Sequence, residues 1–131
     1  MLAKANRIVH QKQIKLVYSS KYKTRNQYWT LISRKIKDQL QFKLLVVISK
    51  KISKQANNRN KIRRRIHSIV HQLNSKNPFD NSLSIIIQLQ NSSIIKLTFE
   101  ELQLQVQSSI LTVIQPKTNF RVIPNSSIIT K

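Results

Sequence analysis

Cysteine and glycine are both absent from this 131-residue sequence, and only four of its residues are acidic. Without cysteine, the chain can form neither a disulfide framework nor a thiolate metal site. Without glycine it has no glycine-rich phosphate loop, and asparagine, aspartate, serine or proline must form its turns. Apolar runs such as "LLVVI" and "SIIIQL" are far shorter than the roughly 20 residues that span a bilayer, so the sequence predicts no transmembrane helix.

Positive charge is abundant and lies mainly in the first half of the chain. The sequence holds 24 lysines and arginines against four acids, a formal net charge of +20. Residues 1–65 contain 19 of these bases and one acid, a net +18, whereas residues 66–131 carry a net +2. Such a density of like charge opposes compaction unless a polyanion neutralises it. The composition therefore predicts a nucleic acid as the partner, bound mainly by the first half of the chain.

Three stretches have the apolar spacing of an amphipathic helix. The first covers residues 6–19. The second begins near Asn57 or Asn58, either of which can act as its N-cap. The third begins at Thr98, where Glu101 three residues later completes a capping box. These signals predict three helices, each with one apolar face.

Three further stretches are rich in β-branched and aromatic residues and are predicted to be strands: 26–33, 41–49 and 83–89. The first two are expected to form an antiparallel pair, because only a short polar segment separates them. The order α-β-β-α-β-α predicts an α+β fold, a single small two-layer domain in which helices pack on a central sheet. This domain is expected to cover residues 1–114, with a flexible tail at 115–131.

The segment "NNRNKIRRRI", residues 57–66, places a basic run on the second helix. At about 100° per residue, its apolar stripe faces the sheet, and the opposite face carries hydrogen-bond donors: Asn60, Arg64, His67 and His71, flanked by Lys61, Arg63 and Arg65. Lys50, Lys51 and Lys54 precede the helix and extend the positive surface. A helix N-terminus favours phosphate, and guanidinium and amide groups suit RNA. We predict an RNA-binding surface here, with a merely solvated helix face as the alternative.

The longer run "ISKKISKQANNRNKIRRRIHSIV" resembles the signature of the bacterial ribonuclease P protein component, approximately S/A-K-K followed by R-N-R-x-K-R-x-x-R. The first part is matched by Ser49, Lys50 and Lys51, and the second by Arg59, Asn60, Lys61, Arg63 and Arg64. Places of the family's first helix are occupied by Arg7, Ile8, Ile14, Val17 and Tyr18. The resemblance covers roughly residues 5–113. Lys61 stands where the family has an arginine, and Ile14 stands where it usually has an aromatic residue.

This resemblance implies a mixed sheet packed by helices, like the second domain of a small-subunit ribosomal protein. It also implies the role of the non-catalytic protein subunit of ribonuclease P, in which RNA and its bound Mg²⁺ cleave the 5′ leader from precursor tRNA. The expected partners are ribonuclease P RNA and precursor tRNA, with no membrane and no small-molecule substrate. The implied compartment is the bacterial cytoplasm, with an organelle of an A/T-rich lineage as the alternative.

The resemblance assigns RNA contacts to the basic helix and its approach: Lys50, Lys51, Lys54, Arg59, Asn60, Lys61, Arg63, Arg64, Arg65 and His67. It assigns the leader to a cleft between the first helix and the sheet, whose candidate residues are Ile14, Tyr18, Tyr28 and Trp29. Aromatic faces stack on unpaired bases without demanding a sequence. Strand alternation places Tyr28 and Trp29 on opposite faces, so one of them is expected in the core.

Catalytic or metal-binding chemistry finds little support in the residues themselves. No two of the four acids have a metal-ligand spacing, and His67 and His71, four residues apart on a helix, have no acid or cysteine nearby. We therefore predict no catalytic residue, no metal ligand and no cofactor on the chain, with Mg²⁺ expected on the partner RNA. Two alternatives remain: a basic ribosomal protein, which could be organellar, and an N-terminal transit peptide or membrane-surface helix.

Overall fold

The computed structural model of the chain describes residues 6–8 and 10–114, so the predicted tail at 115–131 lies outside the described residues. Within them, helices and strands follow in this order: α1 (Gln11–Tyr18), β1 (Tyr22–Arg25), β2 (Trp29–Lys35), β3 (Lys43–Val47), α2 (Ala56–Lys76), β4 (Leu83–Leu89), a short 3-10 helix (Ser92–Lys96) and α3 (Phe99–Ile114). The strands form one mixed sheet. The predicted α+β class and the mixed sheet packed by helices are confirmed.

The strand order in the sheet is β1-β2-β4-β3. β4 lies between β2 and β3, antiparallel to β2 and parallel to β3. The strands predicted at 26–33 and 41–49 are therefore not neighbours, and the predicted antiparallel pair between them is wrong. The reason is the crossover through α2, because a strand, a helix and a second strand that share a sheet place the two strands parallel. β4 takes the central position because its run of isoleucines from 85 to 87 is fully buried and requires cover on both faces.

Two edge segments were not predicted. β1 is polar and exposed along its whole length, so it lacks the apolar alternation by which strands are recognised. Residues 6–8, predicted to belong to the first helix, instead run along the outer edge of β3, where Arg7 pairs with Leu44. The Ile8 N–H donates to the Leu44 carbonyl at 3.2 Å, and the Asn6 amide donates to the Phe42 carbonyl at 2.9 Å. This pairing covers part of an exposed sheet edge.

Helices cover both faces of the sheet. The larger apolar cluster lies between the sheet and the pair α2 and α3, and it confirms the predicted stripes of both helices: Ile62, Ile66, Ile69, Val70 and Leu73 on α2, and Leu102, Val106, Ile110 and Val113 on α3. A smaller cluster lies on the opposite face, where Val17 of α1 packs with Ile8, Ile32 and Ile86. β4 therefore contributes to both clusters, which joins α1 to the rest of the core.

The helix ends follow the sequence in one case and depart from it in another. The α3 capping box is confirmed, since the Thr98 N–H donates to Glu101 Oε1 at 2.9 Å and the Glu101 N–H donates to Thr98 Oγ1 at 3.2 Å. The predicted asparagine cap of α2 is wrong, because the helix begins at Ala56 after Gln55, which makes no side-chain capping bond. Among the described residues of this glycine-free chain, the left-handed backbone conformation occurs at Asp38, with φ of 65°, and aspartate is a residue type that tolerates it.

We expect Ile86→Ala to lower the free energy of unfolding by about 2–5 kcal/mol, because it opens a cavity beside both α1 and the neighbouring strands. Leu40→Ala is the matched control, since Leu40 is 87% exposed and should change stability little. Urea titration followed by the fluorescence of Trp29, the single and fully buried tryptophan, measures both variants. Equal losses in the two variants would show that β4 does not carry the core.

Candidate RNA interface and adjoining cleft

An exposed basic surface lies on the outer side of α2 and on the loop that leads into it. We name it the α2 basic face, and its six exposed members are Lys50, Lys51, Lys54, Asn60, Lys61 and Arg64. The three members on the helix, Asn60, Lys61 and Arg64, are exposed because the isoleucine stripe of α2 faces the sheet and turns the opposite side of the helix outward. The structure thus brings together six of the ten residues predicted to bind RNA.

Positive charge on this face is not neutralised by the protein. The sequence has no acid between Asp38 and Asp80. Among the described residues, the one ion pair joins Lys35 Nζ to Asp80 Oδ2 at 3.4 Å, near the start of β4 and far from the beginning of α2. The first turn of α2 also has no acidic residue and no side-chain cap, so its free N–H groups add to the positive potential. The face can therefore bind phosphate groups without displacing an internal partner.

Three further predicted residues, Arg59, Arg63 and Arg65, are half-buried beside the face. The Arg59 guanidinium donates to the carbonyls of Ser53 at 2.9 Å and Lys54 at 3.1 Å, which fastens the loop between β3 and α2. Arg63 donates to Asn60 Oδ1 at 2.9 Å and so orients that amide. Arg59 and Arg63 thus hold neighbouring donors in place, in addition to any RNA contact of their own.

His67 was predicted on the exposed face, and that placement is wrong. Its side chain is only 3% exposed. Burial, and after it the charges of Arg7 and Arg63, lower the pKa of His67 to about 4. The helical angle describes α2 alone and therefore missed this burial, and it also missed Arg7, which lies on the segment that pairs with β3 and whose charge acts on His67.

The cleft beside α1 contains two of the four residues predicted for it. Ile14 and Tyr18 are half-buried and pack against the smaller apolar cluster, and burial raises the pKa of Tyr18. Trp29 is fully buried on the other face of the sheet, where its indole N–H donates to Ser109 Oγ at 3.1 Å. Tyr28 packs against the same large cluster, with its ring 6.1 Å from that of Trp29.

The cleft prediction for Tyr28 and Trp29 is therefore wrong. Strand alternation does not separate these two residues because β2 begins at Trp29, so Tyr28 lies in the preceding turn. In that turn the Asn26 side-chain oxygen accepts hydrogen bonds from the N–H groups of both residues, at 2.7 and 2.9 Å. The turn directs both rings toward the face covered by α2 and α3.

A row of residues that the sequence did not reveal forms the sheet floor next to α1. The strand register aligns Arg25 with Thr30, Thr30 with Gln88, and Gln88 with Val47. This row lies on the same sheet face as Ile86, because Gln88 is two residues after Ile86 in β4 and alternate residues of a strand share a face. Gln88 interrupts an apolar run, which was a visible signal, but the register was needed to know which face it occupies.

A surface depression of about 440 Å³ adjoins this row at Arg25 and Gln88, and it is lined by Arg25, Ser49, Lys51, Ile52, Gln88, Leu89 and Gln90. Within it, Arg25 Nε donates to Gln90 Oε1 at 3.2 Å. Two cations can bind phosphate, and the two amides can bind base edges or 2′-hydroxyls. Because Lys51 also belongs to the α2 basic face and Gln88 to the sheet floor, the depression lies between that face and the floor.

Metal-binding and membrane features were sought in the described part of the chain. Among residues 6–8 and 10–114 there is no group of three histidine, cysteine, aspartate or glutamate side chains that could hold a metal ion. In the same residues, every helix is too short or too polar to cross a membrane.

Comparison with known proteins identifies one family. Residues 2–115 match the family model described as Ribonuclease P. The fold is similar to that of a Staphylococcus aureus RNase P protein, with a TM-score of 0.65 and 25% identity over 86% of this chain and 94% of that one. A mutant of the S. aureus protein, defective in mRNA degradation, gives a TM-score of 0.69 at 22% identity, covering 84% and 88%. The Thermotoga maritima RNase P protein gives 0.65 at 16% identity, covering 86% and 98%. No curated protein sequence matches the chain.

We expect Arg64→Ala to weaken binding to a structured RNA by roughly 1–3 kcal/mol, because it removes a charged donor from the α2 basic face. Lys37→Ala is the matched control, since it removes one exposed charge from the loop after β2, at the opposite end of the sheet. Filter binding at fixed salt compares the two. Equal losses would mean that total charge, and not the α2 basic face, determines RNA affinity.

Proposed function

The chain belongs to the ribonuclease P protein family, and from this premise we propose that it is the protein subunit of ribonuclease P. It binds the catalytic RNA and the 5′ leader of precursor tRNA, and so supports the endonucleolytic maturation of tRNA 5′ ends. The observation that carries the proposal is the coincidence of the family's basic motif with an exposed, acid-free helix face. The fold itself is that of RNase P proteins.

The α2 basic face is proposed to bind the catalytic RNA. Lys61 and Arg64 project from the helix into solvent, and the lysines before the helix extend the surface toward its N-terminus. Arginine can bind a phosphate through two parallel N–H bonds, whereas lysine supplies a point charge. A helix face with both residue types suits a folded RNA, in which phosphates approach from several directions.

The leader is proposed to lie in the cleft between α1 and the sheet. Tyr18 offers a half-buried aromatic face on α1, and the floor opposite consists of Thr30, Gln88 and Val47. An unpaired base can stack on the ring while amide and hydroxyl groups contact its edges. The depression at Arg25 and Lys51 can accept the phosphates of the same strand.

Cleavage is assigned to the partner RNA and to Mg²⁺ bound there. The four acids of the chain are exposed, and Glu101 is engaged in capping α3. The part of the protein is to bind and orient: it neutralises RNA phosphates near the leader and holds the leader in an extended path. The expected contribution is tighter binding of precursor tRNA than of mature tRNA.

Tyr18→Ala should narrow the difference in affinity of the holoenzyme for precursor and mature tRNA. One stacked base contributes about 1–3 kcal/mol, and only the precursor has unpaired leader bases to engage. Affinity for the catalytic RNA should stay unchanged, because Tyr18 lies apart from the α2 basic face. Matched tRNAs with and without a leader, titrated against reconstituted holoenzyme, measure the difference.

Tyr22→Ala is the aromatic control. Tyr22 is 76% exposed on β1 and stands outside the cleft. An unchanged difference in the Tyr18 variant would remove Tyr18 from the leader site. No difference between the two tRNAs in the wild-type holoenzyme would contradict the leader function altogether.

A further inference from the structure

The outer side of α3 exposes leucine side chains that the core does not use. Leu102, Val106 and Ile110 form the buried stripe of this helix and belong to the larger apolar cluster. Leu104 and Leu111 are 66% and 39% exposed. At about 100° per residue, these two leucines point in nearly the same direction, away from the buried stripe. α3 is therefore apolar on two opposite sides, and the described residues cover only one of them.

The outer side of α3 also differs in charge from the rest of the protein. The helix contains no lysine or arginine, whereas Glu100 and Glu101, two of the four acids of the chain, stand in its first turn. Glu101 is engaged in the capping box, and Glu100 forms no ion pair with any described residue. We name Glu100, Leu104 and Leu111 the α3 outer face. It is an apolar and weakly acidic surface on a strongly basic protein.

A helix that is apolar on opposite sides is normally covered on both, so an occupant of the α3 outer face is expected. RNA is a poor occupant, because Glu100 repels phosphate and the helix offers no cation. A second copy of the chain would bring a net charge of +20 against another +20, and two leucines per copy offer little apolar area to offset that repulsion. The remaining occupant is the part of the chain that follows α3.

Residues 115–131 lie outside the described residues, but their sequence has the composition that the α3 outer face requires. They contain no acid, and their cations are Lys117, Arg121 and Lys131. Their large apolar side chains are Phe120, Val122, Ile123, Ile128 and Ile129. A segment that is apolar and basic is complementary to a face that is apolar and acidic.

The length of the connection permits this segment to fold back. Leu104 lies about 15 Å before Ile114 along the helix, at a rise of 1.5 Å per residue. The stretch from Ile114 to Phe120 spans about 20 Å when extended. Pro116 favours a change of direction directly after α3, because the residue before a proline rarely takes the helical conformation. A short tether also gives the segment an effective concentration on the order of millimolar, so weak contacts suffice for docking.

We propose that residues 117–123 fold back and dock on the α3 outer face. Alternate residues of an extended segment point to the same side, so Phe120 and Val122 together contact Leu104 and Leu111. Arg121 then points to the other side of the segment, where its long side chain can reach Glu100. The folded domain accordingly extends past residue 114. The inference is independent of the proposed function, since no RNA takes part in the contact.

The test uses ¹⁵N relaxation of the full-length chain in the absence of RNA. A docked segment gives order parameters near about 0.85 at Phe120 and Val122, as in a rigid backbone, whereas a free segment gives values below about 0.6. Leu104→Gln should release the segment and lower both values to the flexible range. Leu40→Gln should leave them unchanged, because Leu40 is another exposed leucine and lies in the loop between β2 and β3. Trp29 fluorescence verifies that both variants are folded.

A nitroxide on the segment measures where it docks. Because the chain has no cysteine, Ser126→Cys provides a single attachment point. The label should broaden the amide signal of Leu104 and spare that of Lys12, since α1 packs on the opposite face of the sheet. In a mixture of ¹⁵N-labelled wild-type chain and nitroxide-labelled chain without ¹⁵N, neither signal should broaden. Broadening of Leu104 in the mixture would identify a second copy as the occupant and overturn the proposal.

Two further results would overturn it. Order parameters in the flexible range in the wild-type chain would mean that the segment is the flexible tail predicted from the sequence, and equal values in Leu104→Gln and Leu40→Gln would mean that it is ordered elsewhere. A flexible segment combined with shifts of the Leu104 and Leu111 amides on addition of a structured RNA would make RNA the occupant. The relaxation measurement involves no tRNA processing, so its failure is distinguishable from failure of the proposed function.

Discussion

Uncompensated positive charge is the constraint on which the rest of the structure depends. A stretch of the chain that includes β3, α2 and their connection contains no acid, so its cations can only face solvent or an external anion. The apolar stripe of α2 resolves the conflict between folding and repulsion, because it fixes which side of the helix is buried. Anything that binds the charged, folded chain and not the unfolded one also stabilises the fold, so the proposed binding of RNA would also raise the stability of the fold.

Elements whose signals are local could be predicted from the sequence. The isoleucines of α2, the Thr98 to Glu101 capping box of α3 and the apolar run of β4 each specify their own conformation within one or two turns or strands. β1 could not be predicted, because a solvated edge strand needs no apolar alternation. The pairing of β4 between β2 and β3 is a tertiary outcome. It follows from the crossover through α2 and from the need to cover β4 on both faces, and neither is visible in one strand alone.

The candidate site likewise has a part that local sequence signals predict and a part that depends on tertiary contacts. Helical angle placed Lys61 and Arg64 correctly on the exposed side of α2, since one buried stripe determines the opposite face. The same angle failed for His67, whose side chain is only 3% exposed although it stands on the side of the helix predicted to face solvent. The turn that precedes β2 directs Trp29 to the sheet face away from the cleft. The strand register places Gln88 on the face that forms the floor of the cleft. Contacts that form only where two elements meet therefore cannot be predicted from the periodicity of either element.

The central claim is the proposal that the basic first half of this chain binds ribonuclease P RNA in particular, and the most direct test is the identity of the RNA bound in cells. The protein is purified from its own cells after mild crosslinking, and the attached RNA is sequenced. The account predicts enrichment of ribonuclease P RNA, with crosslinks on the α2 basic face, and of precursor tRNA with an unprocessed leader. Enrichment of ribosomal RNA without either would contradict it and would make the chain a basic ribosomal protein that shares the fold.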